Sequence, residues 1–181
     1  MDSLITLAAQ YLLFPILIAA AAIWLFLPRH DKVGLAVQAI VSLVIAVALI
    51  QLAAAIHTDP RPFVVDPSIK PLFAHPADNG FPSDHTALGA AVALLLMTYR
   101  RSLGAVVLAA SILVGVARVA AHVHHAQDIV AGLLIAALAV GAAAAMWRVG
   151  SATATAATGR ARVRVRARTR SSTRSHPIPN R

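Results

Sequence analysis

Three short polar clusters interrupt a chain that is otherwise hydrocarbon. They are Pro60-Arg61-Pro62-Phe63-Val64, then Asn79-Gly80-Phe81-Pro82-Ser83-Asp84-His85-Thr86, then the run from Arg118 to Asp128, which reads Arg-Val-Ala-Ala-His-Val-His-His-Ala-Gln-Asp. Their residue types suit work on a phosphate group. Arg61 and Arg118 carry planar, permanently charged forks that match phosphate oxygens. Ser83 offers a hydroxyl. Pro82-Ser83-Asp84-His85 opens a helix, so backbone N–H groups there are free to point at an anion. His124 and Asp128 stand four apart, on one face if the turn is helical. A carboxylate on one ring nitrogen fixes the tautomer and leaves the other nitrogen free to attack. His125 and Asp128 are three apart, so spacing alone leaves that pair open as well. The competing reading is a polar network that only pins loops. An arginine in apolar surroundings is costly without a counter-charge or water, which favours the functional reading, since a bound phosphate is such a counter-charge.

In this order and spacing the clusters resemble the signature of the type 2 phosphatidic acid phosphatase superfamily: Lys-x6-Arg-Pro, then Pro-Ser-Gly-His, then Ser-Arg-x5-His-x3-Asp. The matching pieces are Arg61-Pro62, Pro82-Ser83-Asp84-His85 and Arg118-x5-His124-x3-Asp128, within residues 54 to 128. The combination is a strong signal. The wording Arg-Pro-Phe-Val followed by Phe-Pro-Ser-Asp-His-Thr is most similar to the bacterial undecaprenyl-diphosphate phosphatase branch. Three positions depart from the general pattern: Ala54 stands where the lysine belongs, Asp84 replaces the glycine, and Ala117 replaces the serine. Asp84 agrees with the undecaprenyl-diphosphate branch.

The resemblance implies roles. The spacing from Arg118 selects His124 as the nucleophile, forming a phosphohistidine, with Asp128 orienting it. His85 becomes the general acid on the leaving group and then the base for water. Arg61, Ser83, Asp84 and Arg118 are expected on the substrate phosphate. No metal and no other cofactor is expected, because the arginines do the electrostatic work a metal would otherwise do. Lys70 is a candidate for the contact that Ala54 lacks, and the missing hydroxyl at Ala117 points to reduced turnover. His122 and His125 fit no motif position. His30, His57, His75 and His176 read as solvated loop or interface residues, and Asp59, Asp66 and Asp78 as groups that solvate their loops.

Composition sets the class in which these clusters must work. Hydrophobic residues make up 59% of 181, with a mean hydropathy of +0.74. A soluble core of this size cannot hide so much apolar surface, so the expectation is an all-α integral membrane bundle with about five transmembrane helices. The chain has no cysteine, which excludes thiolate chemistry and disulfides. The net charge of +9 is concentrated at one end: residues 150 to 181 hold eight arginines and no acid, whereas residues 1 to 149 hold eight Lys and Arg against seven Asp. We therefore expect a membrane-embedded domain over 1–149 and a basic, disordered tail over 150–181.

Five elements are expected to position the clusters. Leu4 to Leu27 is a first span, which Pro15 is placed to kink. Val33 to Ile56 is a second. His57 to Ser83, with prolines at 60, 62, 67, 71, 76 and 82, is a compact loop with no regular helix. A third span starts at the Ser83-Asp84 cap and runs to Thr98, a fourth covers Ser102 to Ala117, and a fifth runs from Asp128 to Val149. Arg118 to Gln127 is read as a second polar connection. The third and fourth spans hold about 15 apolar residues each, or about 22–24 Å against a core of about 30 Å, so their motif-bearing ends are expected in a recess below the membrane surface. Small residues such as Gly132 and Gly141 read as helix-packing positions.

With five spans, Arg29, Lys32, Arg100, Arg101, Arg148 and the arginine tail share one side, which the positive-inside rule makes cytoplasmic. Both motif loops then face outward from a plasma membrane. The tail is expected on anionic headgroups, and no nucleic acid is expected as a partner, for want of interleaved aromatics. The resemblance implies hydrolysis of undecaprenyl or another polyprenyl diphosphate to the monophosphate and phosphate, as in recycling the carrier lipid of cell-wall (peptidoglycan) synthesis. The nearest alternative is the same chemistry on phosphatidic acid or phosphatidylglycerol phosphate. An alternative of another class is a catalytically silent membrane protein that binds lipid phosphate, or a metal through His122, His124 and His125. Vanadate-dependent haloperoxidases share the motif, but they are soluble, which five hydrophobic spans argue against.

Overall fold

The first apolar run folds as two helices, α1 (Asp2–Tyr11) and α2 (Leu13–Leu25), bent by 45° in the computed structural model. Pro15 explains the bend. It lacks an N–H, and its ring crowds the carbonyl four residues earlier, that of Tyr11, where α1 ends. The structure describes residues 1–173, with side chains to residue 153. The remainder of the basic tail, including His176, lies outside the described residues.

α3 (Arg29–Ile56) follows Pro28 and starts one turn before the expected Val33, so the polar stretch after Pro28 is already helical. The proline-rich connection after it contains a single turn of helix, α4 (Pro62–Val65), whose first residue is a proline, where the missing N–H costs nothing. α5 (Asp84–Tyr99) begins where expected, with Ser83 as its cap: the Ser83 side chain accepts from the Thr86 N–H. α6 (Arg101–Ala120) and α7 (Ala126–Thr173) complete the described chain, which is all-α. Contacts divide it into a unit over Met1–Ala144 and a second from Ala145 onward.

The end of α6 corrects the sequence reading. The helix runs through Ala117 and Arg118 to Ala120, so Arg118 sits on its last turn and not in a connection. It is stopped by His122, which adopts a left-handed conformation (φ 61°). The His122 N–H donates to the Val119 carbonyl at 2.9 Å and the Val123 N–H to the Arg118 carbonyl at 3.2 Å. These two bonds form the helix stop in which a left-handed residue satisfies the last carbonyls, usually a glycine. Gln127 and Asp128 lie on the first turn of α7. The polar connection therefore shrinks to residues 121–125, held at both ends by helices.

α5 is the centre of the first unit. Its Ala87, Gly89, Ala90, Ala91 and Ala93 are buried, and such small side chains let neighbouring backbones approach closely. At Gly132 of α7 a Cβ would lie 2.7 Å from the Ser83 carbonyl oxygen and 3.1 Å from the Ala87 nitrogen, so α7 meets the start of α5 backbone to backbone. Gly141 has open space around it and is not a packing position. At the other end of α5, Tyr99 is hydrogen-bonded by the buried Gln38 of α3.

Among the described residues, three helices are long and apolar enough to cross a membrane: Arg29–Ile56, Arg101–Ala120 and Ala126–Thr153. The bent α1–α2 pair makes four if it counts as one span. That is one fewer than the five expected, and the difference is α5. Its 16 residues reach only about 24 Å at 1.5 Å per residue. The large apolar side chains left exposed, among them Ile40, Val44, Val106, Leu134 and Leu138, give these helices a hydrocarbon exterior, as a membrane-embedded protein requires.

Candidate active site

The connection between α3 and α5 is tied into a fixed shape by one amide. Asn79 Oδ1 accepts from the N–H groups of Asp59 (2.9 Å) and Phe81 (3.0 Å), and its Nδ2 donates to the carbonyls of Ala54 (3.3 Å) and His57 (3.1 Å). The Gly80 N–H adds a bond to the Asp59 carbonyl at 2.9 Å. Both ends of the connection are thereby clipped together, and Arg61 is carried inward. A Cβ on Gly80 would come within 3.3 Å of Asp128 Oδ2, so the glycine lets the clip sit against the site. The middle of the connection is anchored too: Leu72 and Phe73 pack on a small apolar cluster of Ala9, Ala117, Ala121 and Val123, and the Leu72 N–H donates to the Ala121 carbonyl at 3.2 Å.

Four charged or titratable side chains from the first and third clusters are buried side by side: Arg61, Arg118, His124 and Asp128 are each at most 5% exposed. His124 Nδ1 lies 3.1 Å from Asp128 Oδ2, and the same oxygen accepts from the His125 N–H at 2.9 Å. A carboxylate can only accept here, so Nδ1 carries the proton and Nε2 keeps its lone pair. That Nε2 is 3.5 Å from an Arg61 terminal nitrogen. Burial, and then the charges of Arg118 and Arg61, push the His124 pKa below its ordinary value, although Asp128 pulls the other way. The imidazole is therefore neutral near pH 7.

The two arginines are held differently. Arg61 Nε donates to Asp78 at 2.8 Å and a terminal nitrogen donates to the Val123 carbonyl at 2.6 Å. Burial raises the Asp78 pKa, but the Arg61 hydrogen bond and charge outweigh it and leave the carboxyl below its usual range. Arg118 donates to the Ala9 carbonyl at 3.2 Å and lies 3.0 Å from His75 Nε2. Its Nε is buried without a partner, and among the described residues no carboxylate lies within ion-pair distance of it. An unpaired buried guanidinium is costly and suits an incoming anion.

The second cluster divides its work. The Ser83 hydroxyl is fully buried and bonds to Thr86 Oγ1 at 3.0 Å, while the Ser83 N–H donates to the Asp128 carbonyl at 3.1 Å, which ties the start of α5 to the start of α7. Asp84 is exposed, and its carboxylate holds His85 Nδ1 at 2.8 Å. His85 borders two cavities. One, of about 370 Å³, is shared with Arg118, His75, Gln10 and Tyr11. The other, of about 360 Å³, is an apolar groove between α3 and α5 lined by Leu43, Val47, Ile50, Leu88 and Val92. His85 thus stands where a polar mouth meets a hydrocarbon channel.

Several residues have places that sequence reasoning missed. His75, expected to be solvated, contacts Arg118, and its ring centre is 6.3 Å from that of His124. Asp78 holds Arg61. Asp59 accepts from His125 Nδ1 (2.9 Å) and Gln127 Nε2, and so braces the connection that carries His124. The signal for all three was their place in a loop whose many prolines make it rigid, but spacing does not say which loop residue turns inward. Lys70 is exposed, and its carbonyl, not its ammonium, meets His122 Nδ1. Ala117 packs in the apolar cluster. The imagined metal set of His122, His124 and His125 does not assemble: His122 is exposed and His124 Nδ1 is taken by Asp128. The described group compact enough for an ion is Asp59, His125 and Asp128; Asp59 Oδ2 and His125 Nδ1 bond to each other and Asp128 Oδ2 accepts from the His125 N–H, while Asp128 Oδ1 is buried without a partner.

Comparison with known proteins gives this geometry a lineage. The chain is 28% identical over 130 residues to the bacitracin transport permease protein BcrC of Bacillus licheniformis, covering 72% of this chain and 64% of that protein. It is 28% identical over 139 residues to the undecaprenyl-diphosphatase BcrC of Bacillus subtilis (strain 168), covering 75% and 69%. It spans about two thirds of the length of these relatives. The crystal structure of Aquifex aeolicus LpxE shares the fold, with a TM-score of 0.59 at 22% identity over 78% of this chain and 84% of that one. The PAP2 superfamily model matches residues 35–151, which include all three polar clusters and every buried member of the His124 site, and on that match the chain belongs to the PAP2 superfamily.

Proposed function

We propose that the protein is a metal-independent membrane phosphatase that cleaves a lipid diphosphate, undecaprenyl diphosphate or a related polyprenyl diphosphate, to the monophosphate and phosphate. The observation that carries this reading is the buried, neutral His124, its Nδ1–H on Asp128, beside two buried guanidiniums of which one has no carboxylate. The apolar groove ending at His85 supports a substrate whose tail is hydrocarbon, and the similarity to an undecaprenyl-diphosphatase supports the choice among such lipids.

The chemistry follows from the atoms. Arg61 and Arg118 hold the terminal phosphate by charge-assisted hydrogen bonds. The His124 Nε2 lone pair attacks phosphorus, so the Nε2–P bond forms as the anhydride P–O bond breaks. Asp128 stabilises the positive charge that develops on the ring. Protonated His85, its Nδ1 held by Asp84, gives its Nε2 proton to the departing lipid-phosphate oxygen. Neutral His85 then takes a proton from water, whose oxygen attacks phosphorus, releases phosphate and restores His124. Ser83 contributes by capping α5, and Asp84 by aiming His85.

Phosphate release from undecaprenyl diphosphate by the purified protein, with EDTA present, tests this reading. The expected result is release by wild type and a loss of about 10⁴-fold or more in His124→Ala. Equal release by the two would remove His124 from its role. Release from phosphatidic acid or phosphatidylglycerol phosphate in preference would keep the chemistry and change the substrate.

We place the site on the extracytoplasmic face of the plasma membrane. If α5 crosses as a short fifth helix, Arg29, Lys32, Arg100, Arg101 and Arg148 share the inner side with the arginine tail, where anionic headgroups attract it. Carrier-lipid recycling for cell-wall synthesis requires this orientation.

A further inference from the structure

His75 lies in none of the three clusters, yet it is delivered to the site by a pinned segment: Leu72 and Phe73 are packed on the apolar cluster below it. Its tautomer is set by its neighbours. Nδ1 faces the Pro76 carbonyl at 3.3 Å, which can only accept, so Nδ1 carries the hydrogen. Nε2 faces Arg118 at 3.0 Å, and a guanidinium can only donate, so Nε2 is the acceptor. The ring is half-buried and lines the polar mouth with His85 and Arg118.

We propose that His75 is a third contact for the substrate phosphate: neutral and hydrogen-bonded to Arg118 while the site holds no anion, it takes a proton when the phosphate arrives and donates Nε2–H to a phosphate oxygen. This rests on the phosphatase reading above and adds a residue that the three clusters do not contain. The charges around the ring decide its state. Arg118 comes from α6, Arg61 from the turn before α4, His124 from the connection after α6, Asp78 from the ring's own loop, and His85 and Tyr11 from across the mouth. Burial, then Arg61, Arg118 and His124, hold the His75 pKa below its ordinary value. A bound phosphate brings two or more negative charges against the same arginines. The positive field that disfavours protonation of the ring is then offset, and the Arg118 N–H is drawn from His75 to the phosphate. The balance is one proton taken from solvent onto Nε2 on binding and returned when phosphate leaves. A neutral imidazole that becomes a cation only beside its ligand avoids adding a second uncompensated charge next to Arg118.

The test is steady-state hydrolysis of undecaprenyl diphosphate across about pH 6 to pH 8 by wild type, His75→Ala, His75→Gln and His75→Lys. We expect His75→Ala to raise KM about tenfold at the acid end, the cost of one charge-assisted hydrogen bond, with kcat within about threefold. His75→Lys should restore KM and flatten its rise with pH, and His75→Gln should not restore it. Rescue by Gln but not Lys would overturn the proposal, because a neutral acceptor for Arg118 would then suffice. Unchanged KM in all three variants would overturn it as well. If wild type itself releases no phosphate, the phosphatase reading fails and takes this proposal with it, an outcome distinct from the other two.

Discussion

At the scale of single residues, the site holds two histidines whose proton affinity is reduced by burial. His124 and His75 both have lowered pKa values, in each case through burial first and neighbouring cations next. The sign of the consequence is fixed. Between the folded value and the ordinary value of about 6.5, the unfolded chain binds more protons than the folded one. Stability is therefore complete above about pH 6.5 and is lost as pH falls through that value. We expect Tm in detergent to drop by roughly 2–4 °C for each kcal/mol so lost between pH 7.5 and pH 5. A variant carrying His75→Gln and His124→Gln should show a shallower drop over that range. An equally steep drop would mean that other groups govern acid sensitivity. Asp78, whose carboxyl is held low by Arg61, contributes in the carboxylate range, well below the pH at which the histidines act.

At the scale of elements, the site depends on where helices stop and how closely they approach. His122 ends α6 in a left-handed conformation, which leaves Arg118 on a rigid last turn and allows α7 to start four residues later. Gly132 lets the first turns of α5 and α7 touch, so that the Ser83 N–H reaches the Asp128 carbonyl. Gly132→Ala would push a methyl group against backbone atoms that cannot swing aside. We expect a loss of about 1–3 kcal/mol, read as a lowered Tm, together with reduced phosphate release. Gly141→Ala, with open space around it, should be neutral or raise stability by up to about 1 kcal/mol. Similar effects at the two positions would refute the backbone contact as the cause. In the sequence the two glycines look alike, because composition marks small residues and does not say which of them faces a neighbour.

At the scale of the whole molecule, the question is which side of the membrane the site faces. The chain has no cysteine, so single cysteines report position without background. We expect a cysteine at Ser68, in the exposed part of the loop before α5, to react with a membrane-impermeant maleimide in intact cells. One at Arg100, between α5 and α6, should react only after permeabilisation. The reverse pattern would put the site in the cytoplasm and rule out a role on the outer face. Both cysteines reacting on one side would mean that α5 does not cross.

By itself the sequence determined the class of the protein and the parts of the site that depend on local spacing. Long apolar runs require a membrane bundle because a chain this short cannot bury them otherwise. The motif spacing picks out His124 with Asp128, and the two meet at 3.1 Å, although His124 stands in the connection just before α7 and not on a helical turn. Ser83 caps α5 because a serine oxygen just before an apolar run can reach a free N–H. Tertiary structure alone decided which loop residues joined them. Asn79 clips two segments 20 to 25 residues apart, Asp78 meets Arg61 across 17 residues, and His75 meets Arg118 across 43. Such contacts depend on how a proline-rich loop packs over the helix ends, a long-range arrangement that no local period encodes. That packing, not the spacing of any motif, left Lys70 exposed and brought His75 inside.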